Sequence, residues 1–591
     1  MKKRVADLIF EILVEHGIRD CFAVVGGGAM YLDNALALNN DIRKIFNHHE
    51  QACAMAADAY ARLSGHMACV CVTSGPGATN AITGVMGAWQ DSLPMIVISG
   101  QVRYEISVPK SGLKLRYLGI QEFDILNSVK NMTKYAVMIT DPLSIKSELE
   151  KAVKIAMEGR RGPVWLDIPQ DIQSAVIDTN DLYDCDEITF SYPEVDYGLI
   201  TDMLKDAKRP CILAGTGIIS SDVMSEFTDF IEMLNIPVVG GAWVADNLYR
   251  EHRLYYGNSG NIGPRTGNFI LQNADLILTL GNSLSFRQTG FNQAGFAPQA
   301  KIVMVDVDTE EPKKPGLNLS LFVNRKLKDF FVEFPAIDLN VNKEWFDYCD
   351  NLKARFTPFE AIEDIDMKGR VNSYYFWKVF ESYEPDDSIA ALGNNTANTA
   401  KLQIGVKKKN QRTLTNYTCG SMGYDLPAAI GAAVASKKRI ICVTGDGSIM
   451  MNLQELQTIV HNDLPIHVVV FSNDGYAAIR QTSNNFFNGT YIGCTPDTGI
   501  SFPDFKDVAK AFGFDYILCE DNLSLDECIK KMFESRKRVF MEVKQMFDNP
   551  VVPKLMSRLD ENGKFQTPYL HDMAPFLDAC ELEKYMIHDD M

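Results

Sequence analysis

Two apolar segments, each followed by a short polar turn, constrain this chain more than any other feature. The first runs into Gly445-Asp446-Gly447-Ser448, and the second, after a helix-sized interval, runs into Ser472-Asn473-Asp474-Gly475. An amphipathic segment from about Asn452 to His461 lies between them, which predicts a βαβ unit. Because parallel strands end at the same edge of a sheet, we expect Asp446 and Asn473 to lie close together where open α/β sheets bind ligands.

The side chains of these two turns favour a magnesium site. Mg²⁺ prefers hard oxygen ligands and commonly takes only one or two from a protein, with phosphate and water completing its shell. The Asp446 carboxylate, the Asn473 amide oxygen and a backbone carbonyl near Gly475 are ligands of this kind. The neighbouring glycines allow main-chain N–H groups to approach a phosphate closely. Both sequences are also ordinary turns, so two plain loops remain the alternative on these residues alone.

Length, charge and cysteine content exclude several classes of protein. The 591 residues suggest three or four domains at roughly 150 residues each. The formal net charge of −18 disfavours nucleic acid and anionic membranes as partners, and no apolar run approaches the ~20 residues of a membrane span. Glu11 and Glu15 interrupt the segment after the basic start, so we expect no export signal. The 13 cysteines lack Cys-x-x-Cys spacing, which indicates reduced thiols in a cytoplasmic protein.

Strand-like and helix-like segments alternate throughout, which predicts an α/β fold of three doubly wound, Rossmann-like parallel-sheet domains. The predicted domains are 1–175, 197–335 and 368–548, and the third carries the two polar turns. Residues 549–591 are predicted to form a tail that packs over a neighbouring surface. No internal sequence repeat is visible. The predicted strands are 22–25, 68–73, 95–99 and 164–168 in the first domain, and 211–214, 236–239, 276–280 and 302–305 in the second.

Two motifs of the first domain indicate chemistry. His48-His49-Glu50-Gln51 precedes an alanine-rich helix, which places the Glu50 carboxylate at the mouth of a closely packed element. Taken alone, Glu50 could equally favour a helix N-terminus through the helix dipole. Further along, Thr73-Ser74-Gly75-Pro76-Gly77-Ala78-Thr79-Asn80 predicts a strand-to-helix loop of a type that closes around ligands. A plain Gly-Pro turn explains its glycines but not the whole string.

Two further motifs occur in the third domain. Gly393-Asn394-Asn395-Thr396 follows an apolar strand, and Cys419-Gly420-Ser421-Met422-Gly423 precedes an apolar helix. Met422 could by itself be a residue that fills the core.

Together these motifs resemble the thiamine diphosphate (ThDP)-dependent acetohydroxyacid, or acetolactate, synthase family. The family shares the His-Glu-Gln-Ala pattern at Glu50, the Ser-Gly-Pro-Gly-Ala-Thr-Asn segment that ends at Asn80, and Gly-Asp-Gly followed by an Asn-rich turn. The spacing from Asp446 to Asn473 is 27 residues (473 minus 446). The second Asn of the usual pair is Asp474 here, and the usual His-Gln pair is absent from the loop at 394–395. The resemblance covers almost the whole chain.

The resemblance implies a role for each matched residue. Glu50 is implied to activate the coenzyme by hydrogen bonding to its aminopyrimidine, and Gln121 to lie near the reacting carbonyl. Met422 is implied to hold the coenzyme in a bent conformation, while Asp446, Asn473 and Gly475 bind Mg²⁺. The cofactor-binding residues implied in addition to Met422 are Gly26, Asn80, Gly393, Asn394, Asn395, Gly420, Gly445, Gly447, Ser448, Gly475 and Tyr476.

The residues implied to face the second substrate depart from the family pattern. Arg287 matches the arginine that receives the acceptor carboxylate, which suits the bidentate geometry of a guanidinium. The tryptophan and methionine that restrict this substrate fall at Thr482 and Ala478, so we expect a wider and more polar pocket. The segment 257–263 keeps the glycines but not the methionines of the flavin-side segment, which leaves FAD open as a cofactor beside ThDP and Mg²⁺.

The resemblance implies an enzyme that decarboxylates pyruvate or a related 2-oxoacid and transfers the two-carbon unit to a carbonyl acceptor. Gly26-Gly27-Gly28-Ala29-Met30 and the segment 111–116 look closest to members from surface-polysaccharide pathways, which suggests a keto-sugar acceptor. The alternatives are a 2-oxoacid decarboxylase, a flavin-dependent pyruvate oxidase-like enzyme and a non-catalytic ThDP-fold binding subunit. In this family the glutamate and the metal ligands of one site come from different subunits, so a homodimer or homotetramer is implied.

Overall fold

The computed structural model describes residues 1–362, 364–416, 418–559 and 564–588. Three sheets of six parallel strands follow one another along the chain, as the alternating pattern predicts. The α/β fold with three parallel-sheet units is therefore confirmed. In the described ranges, no helix combines the length and the apolar character that crossing a membrane requires. All 13 cysteines are free thiols, and only Cys580 is fully exposed.

The first sheet has the strand order β3-β2-β4-β5-β7-β6, and helices cover both of its faces. Alternate residues of β4 face opposite sides: Val70 and Val72 join the core beside α3, whereas Cys69 and Cys71 join the core beneath α1 and α8. The strands are β1 Lys2–Arg4, β2 Asp20–Ala23, β3 Arg43–Phe46, β4 Cys69–Val72, β5 Met95–Gln101, β6 Tyr135–Met138, β7 Pro163–Pro169 and β8 Val176–Asp178. The helices are α1 Val5–Glu15, α2 Met30–Leu38, α3 Glu50–Ser64, α4 Pro76–Asn80, α5 Ile82–Gln90, α6 Val108–Ser111, α7 Ile125–Val129, α8 Ile145–Met157 and α9 Gln170–Ser174.

The central sheet has the order β11-β10-β9-β12-β13-β14, in which the direction of strand succession reverses between β9 and β12. Such a reversal opens a crevice at the carboxyl ends of the two strands. The strands are β9 Pro210–Ala214, β10 Val238–Gly240, β11 Tyr255–Asn258, β12 Leu276–Leu280, β13 Lys301–Asp306 and β14 Leu321–Asn324. The helices are α10 Tyr197–Asp206, α11 Gly217–Ser220, α12 Met224–Leu234, α13 Arg265–Asn273, α14 Phe286–Thr289, α15 Leu327–Glu333 and α16 Lys343–Arg355.

The third sheet, β16-β15-β17-β18-β20-β19, repeats the strand arrangement of the first sheet position by position. The two apolar segments that precede the polar turns are β17 and β18, and they pair in parallel from Ile440 with Ile466 to Gly445 with Phe471. The strands are β15 Ile389–Leu392, β16 Arg412–Leu414, β17 Ile440–Gly445, β18 Ile466–Ser472, β19 Asp515–Cys519 and β20 Val539–Lys544. The helices are α17 Ser373–Tyr383, α18 Thr396–Ile404, α19 Asp425–Ser436, α20 Asp446–Ile449, α21 Glu455–His461, α22 Ala477–Phe486, α23 Phe505–Ala511 and α24 Leu525–Glu534.

The crossover between β17 and β18 differs in detail from the predicted single helix. Asp446 begins the short helix α20, and the longer helix α21 begins at Glu455 instead of near Asn452. The turn after β17 therefore bends directly into helical backbone, and the first N–H groups of this helix have no partner within the helix.

The first and third domains pack against each other through α3 and α19. A Cβ atom at Gly431 would lie 2.0 Å from the carbonyl oxygen of Ala56, so the two helices approach closely enough to require glycine at this position. The Tyr424 hydroxyl of the third domain donates to the Asp58 carboxylate of the first at 2.6 Å. These contacts join the two outer domains of one chain directly.

The C-terminal segment lies over the central domain. Its short elements are β21 Arg558–Leu559, β22 Phe565–Gln566 and α25 Ala579–Lys584. Asn268 and Asn273 of α13 donate hydrogen bonds to the carbonyls of Leu570 and Tyr585 at 3.1 and 2.9 Å. The tail thus covers α13, every residue of which is buried.

Candidate active site

The first domain holds Glu50 at the amino end of α3, close to the loop after β4. Glu50 is 8% exposed, and its Oε2 accepts a hydrogen bond from Asn80 Nδ2 at 2.9 Å. Its Oε1 lies 3.4 Å from the position that a Cβ atom would take at Gly77. Glu50 and Asn80, which were predicted from separate motifs, are therefore neighbours, and the absence of a side chain at position 77 leaves space beside the carboxyl group.

Two other predicted residues of the first domain lie along the same loop. The Gln121 carbonyl oxygen is 2.5 Å from the Cβ position of Gly75, so the segment that carries Gln121 rests on the loop after β4. Gln121 has a φ of +60° and an exposed side chain. Gly26 packs on Thr73, whose side chain lies 2.6 Å from the Cβ position of the glycine. The structure thus brings Gly26, Glu50, Asn80 and Gln121 to one edge of the first sheet.

The third domain brings the two polar turns together as expected from parallel strands. The Asp446 carboxylate accepts hydrogen bonds from the backbone N–H groups of Gly447, Asn473 and Gly475 at 2.8, 2.9 and 3.4 Å. Asp446 is 3% exposed and Asn473 is 6% exposed. The turn after β18 therefore folds around the side chain that follows β17.

The loop after β15 lies beside these turns. Asn394 Nδ2 donates to the Gly420 carbonyl at 2.6 Å, which connects this loop to the motif that contains Met422. Asn395 caps α18 through its Oδ1, whereas its buried Nδ2 has no hydrogen-bond partner among the described residues. A Cβ atom at Gly445 would lie 3.2 Å from Cβ of Asn395. The orphaned Asn395 donor at the end of a parallel strand is suited to a bound phosphate.

Met422 and Tyr476 both lie against Gly447. A Cβ atom at position 447 would be 2.1 Å from Cε1 of Tyr476 and 3.3 Å from Cε of Met422. Only glycine leaves room for these two side chains at this turn. The predicted cofactor-binding residues of the third domain, from Gly393 to Tyr476, therefore form one cluster at the carboxyl edge of the sheet.

The electrostatics of this cluster fit a divalent cation. Burial raises the pKa of the Asp446 carboxyl to about 6, and no basic side chain of the described residues forms an ion pair with it. The buried Arg480 guanidinium interacts electrostatically with this carboxylate, and a bound cation would add a second positive charge that favours the ionised form. One carboxylate and one amide oxygen, with a backbone carbonyl, also match the oxygen ligands that Mg²⁺ prefers. The residues present therefore fit Mg²⁺ and a diphosphate.

Arg480 is a residue of this site that the sequence interpretation missed. The guanidinium is fully buried and donates to the Asn473 carbonyl and to Asn473 Oδ1, both at 3.2 Å, and to the Phe547 carbonyl at 2.6 Å. It holds the Asn473 amide oxygen in place and leaves that oxygen a second lone pair for a cation. Helix α22 buries Ala477, Arg480 and Ser483 at intervals of three, so helical periodicity alone could have indicated a buried arginine.

Gln545 completes the support of Asn473 from the end of β20. Its Oε1 accepts from Asn473 Nδ2 at 2.8 Å, and its Nε2 donates to the hydroxyls of Ser373 and Thr396 at 2.7 and 2.9 Å. No motif in the sequence marks Gln545. Gln545 reaches Asn473 because β18 and β20 are paired in the sheet, and this pairing is visible only in the structure.

A polar bridge connects the two half-sites within the chain. Asn452 Nδ2 donates to the Gly423 carbonyl at 2.7 Å and to Gln51 Oε1 at 3.2 Å. Gln51 follows Glu50 directly, and Gly423 follows Met422. Glu455 adds a second bridge, because its carboxylate accepts from Asn47 Nδ2 and from the His48 N–H at 2.8 and 2.9 Å.

The residues predicted to face the second substrate fall in two places. Ala478 and Thr482 are exposed on α22, which begins directly after Tyr476, and the Thr482 hydroxyl donates to the Ala478 carbonyl at 3.0 Å. Arg287 lies instead on α14 of the central domain, with its guanidinium 5.0 Å from the ring of Trp243. The structure does not bring Arg287 into contact with the cluster around Asp446.

Arg287 lines a cavity of about 390 Å³ at the reversal point of the central sheet. Gly217 and Gly281 form part of one wall, where a Cβ atom at position 217 would lie 2.7 Å from the backbone of Gly281. Thr415 and Thr418 of the third domain form another wall, so the cavity opens toward the segment that leads to Gly420. The volume lies at the low end of the range of small-molecule pockets, about 300 to 1,000 Å³.

Three segments of the chain match family models of the thiamine pyrophosphate (TPP) enzymes. Thiamine pyrophosphate is another name for ThDP. Residues 3–125 match the N-terminal TPP binding domain, residues 199–323 the central domain and residues 391–543 the C-terminal TPP binding domain.

Curated relatives extend over nearly the whole chain. The chain is 30% identical over 549 residues to the probable acetolactate synthase large subunit of Methanococcus aeolicus, covering 89% of each protein. It is 30% identical over 529 residues to the acetolactate synthase isozyme 1 large subunit of Escherichia coli K12, covering 88% of this chain and 90% of the relative. For acetolactate synthase 2, chloroplastic, of Zea mays, the identity is 29% over 577 residues, with 93% and 87% covered. The chain therefore belongs to the ThDP-dependent enzymes of the acetolactate synthase large-subunit family.

Proposed function

We propose that this enzyme is a Mg²⁺-dependent carboligase that decarboxylates pyruvate or a related 2-oxoacid and transfers the two-carbon unit to a carbonyl acceptor of the keto-sugar class. The observation that carries the proposal is the cluster of Asp446, Asn473 and Gly475 at the end of two paired strands. Within it, the buried Asp446 carboxylate lies beside the buried Asn473 amide, whose oxygen accepts a hydrogen bond from Arg480. We also propose that the protein acts in the cytoplasm, where its free thiols stay reduced.

The residues of this chain would have separate roles in binding the metal ion, the diphosphate and a proton. Asp446, Asn473 and the carbonyl of Gly475 would hold Mg²⁺, and Asn395 Nδ2 would donate to the diphosphate. Bound there, ThDP supplies the nucleophile and the electron sink for decarboxylation. Glu50, oriented by Asn80, holds a proton at the aminopyrimidine end of the coenzyme.

The reacting end of the coenzyme is enclosed by residues from both outer domains. Met422 and Tyr476, which pack against Gly447, form an apolar floor that excludes water. Gln121, on the loop above Gly75, orients the carbonyl group of the substrate.

The acceptor side supports a substrate larger than a second pyruvate. Ala478 and Thr482 present small side chains on the exposed face of α22. Polar Asn484 and Asn485 follow on the same helix and are also exposed. A sugar acceptor has hydroxyl groups that such side chains can hydrogen-bond. Arg287 is proposed to attract the acidic part of the acceptor from the central domain.

The cavity of the central domain is the site that we propose for FAD, the second cofactor implied by the family. It lies at the reversal point of the sheet, where dinucleotides bind in doubly wound folds. Two arginines lie on its wall: Arg160 is paired with Asp308 and Glu311, whereas Arg161 donates to the carbonyls of Gly65 and Ser220 and can neutralise phosphate charge. Flavin absorbance in the purified protein tests this assignment, because bound FAD colours the protein yellow.

Isotope-labelled pyruvate tests the reaction and its acceptor together. With ¹³C-labelled pyruvate and a panel of aldehydes, ketoacids and nucleotide-linked keto-sugars, mass spectrometry should detect a product that carries the labelled two-carbon unit on one acceptor. Free acetaldehyde alone would identify a decarboxylase, and acetate with peroxide would identify a flavin-dependent oxidase. Binding of ThDP without any consumption of pyruvate would identify a non-catalytic subunit, and each of these results contradicts the carboligase.

We further propose that two copies of the chain complete each active site, in a homodimer or homotetramer. The segment that carries Gln121 exposes Leu113, Leu115, Tyr117, Leu118 and Ile120, and Ile120 is 88% exposed. The end of α22 and the loop after it expose Ile479, Phe486, Phe487 and Ile492. Apolar side chains exposed in such numbers beside a site mark an interface between proteins.

Mixing two inactive variants tests whether the sites are shared. A Glu50→Gln chain and an Asp446→Ala chain are each expected to be inactive alone. If one site takes Glu50 from one subunit and Asp446 from the other, equal mixing and reassembly should restore about a quarter of wild-type activity. The expected value is a quarter because half of the dimers contain one chain of each variant, and each of these mixed dimers has one intact site out of two. No recovery, with mixed dimers shown by mass spectrometry, would mean that both residues act from one chain.

A further inference from the structure

Asp425 is a buried carboxyl group next to the predicted coenzyme site, and it is not one of the residues predicted from the sequence to bind the coenzyme or the metal. It begins α19 and is 0% exposed. In the described part of the chain it forms no ion pair, although an unpaired buried carboxyl is costly to the folded state. Such a group is retained only where its hydrogen bonds contribute something specific.

The contacts of Asp425 reach three loops of the predicted site. Its Oδ2 accepts a hydrogen bond from the Ser448 hydroxyl at 2.5 Å, and the Ser448 oxygen accepts from the Gly423 N–H at 2.9 Å. The same carboxylate oxygen would lie 2.1 Å from a Cβ atom at Gly393. Asp425 therefore fills the space that a side chain would take at position 393.

We propose that Asp425 is a positioning residue that holds the loops at Gly393, Gly420–Gly423 and Asp446–Ser448 in one arrangement before the coenzyme binds. Each loop contributes predicted contacts to the coenzyme site, so an error in their relative placement would weaken several contacts together. Burial also raises the pKa of the Asp425 carboxyl above its ordinary value. The inference rests on the proposed coenzyme site, whereas the loop arrangement itself can be measured in the apoprotein.

Ser448→Ala and Asp425→Ala provide the test, with two measurements. Hydrogen–deuterium exchange of the apoprotein should become faster at residues 420–424 in both variants. The Kd for ThDP with Mg²⁺, measured by calorimetry, should rise by about 10-fold or more, as expected for a lost hydrogen bond to a carboxyl group. Both variants break the same hydrogen bond between Ser448 and Asp425. The Kd of the double variant should therefore be no higher than that of the single variant with the higher Kd. Asp425→Asn, which keeps an acceptor oxygen, should restore most of the affinity.

Ser388→Ala is the matched control. The Ser388 hydroxyl also donates to a buried carboxylate, Glu384, at 2.5 Å, but at the opposite end of β15. It should leave both the exchange at 420–424 and the Kd unchanged. The proposal is overturned if Ser388→Ala raises the Kd as much as Ser448→Ala does, or if the effects of Ser448→Ala and Asp425→Ala on the Kd add in full in the double variant. It is also overturned if exchange at 420–424 in the apoprotein does not change.

Failure of the wild type to bind ThDP would refute the proposed function, and the exchange measurement would still decide this inference. Ser448→Ala removes a single oxygen atom, so the test survives if Asp425→Ala does not fold.

Discussion

Glu50→Gln is expected to lower the turnover of pyruvate by at least about 100-fold while the protein stays folded. Glutamine has nearly the same size and can still accept the hydrogen bond from Asn80 Nδ2, so the loop after β4 keeps its support. The amide cannot hold and release a proton as a carboxyl group does, and proton transfer of this kind contributes about 100- to 10,000-fold to rates. The measurement is CO₂ release from pyruvate under saturating ThDP and Mg²⁺.

The control for this variant separates chemistry from binding. The Kd for ThDP and the midpoint of thermal unfolding should stay close to those of the wild type, and Glu15→Gln at the exposed end of α1 should have normal turnover. Normal CO₂ release by Glu50→Gln would show that the carboxyl group has no part in the reaction. A large rise in Kd with an unchanged kcat would instead assign Glu50 to binding.

Asp446→Ala is expected to weaken ThDP binding by at least about 100-fold and to remove its dependence on Mg²⁺. Loss of a residue that only supports a metal ligand already costs about 10- to 100-fold, and Asp446 is predicted to be a ligand itself. The variant also removes the acceptor for the N–H groups of Gly447, Asn473 and Gly475, so the turn after β18 loses its anchor. Titration of ThDP at several Mg²⁺ concentrations measures both effects.

Asp474→Ala is the matched control in the same turn. Its carboxylate is 44% exposed and pairs at 2.9 Å with the exposed guanidinium of Arg370. An exposed ion pair contributes about 0 to 1 kcal/mol, so the Kd should change by less than about 5-fold. Equal losses from Asp474→Ala and Asp446→Ala would mean that the turn needs only negative charge. ThDP binding by the wild type that does not respond to removal of Mg²⁺ would rule out the metal site.

The location of the site could be predicted from sequence because its motifs follow apolar strands. Parallel strands end at one edge of a sheet, so Asp446 and Asn473 had to meet once β17 and β18 were recognised. The first-domain pair of Glu50 and Asn80 required the resemblance as well, since no local pattern places the start of α3 beside the loop after β4.

Other parts of the structure depend on tertiary contacts that no local pattern encodes. Strand β3 was missed because it is a short edge strand with charged residues, Arg43 and Lys44, in an otherwise weak apolar pattern. Arg480 was missed because an arginine is expected on the surface, yet four carbonyl and amide oxygens surround this one. The shared strand order of the outer sheets also stayed hidden, because a sheet arrangement can persist without a repeated sequence.

The close packing of α3 against α19 has a consequence for how the chain reaches its native state. Residues of both outer domains belong to a single hydrophobic cluster, which extends from Phe22 in β2 to Phe540 in β20. If either outer domain were produced alone, the alanine-rich surface of its helix would face water. The two outer domains of one chain are thus expected to fold as one cooperative unit, although more than 300 residues separate Ala56 from Gly431 in the chain.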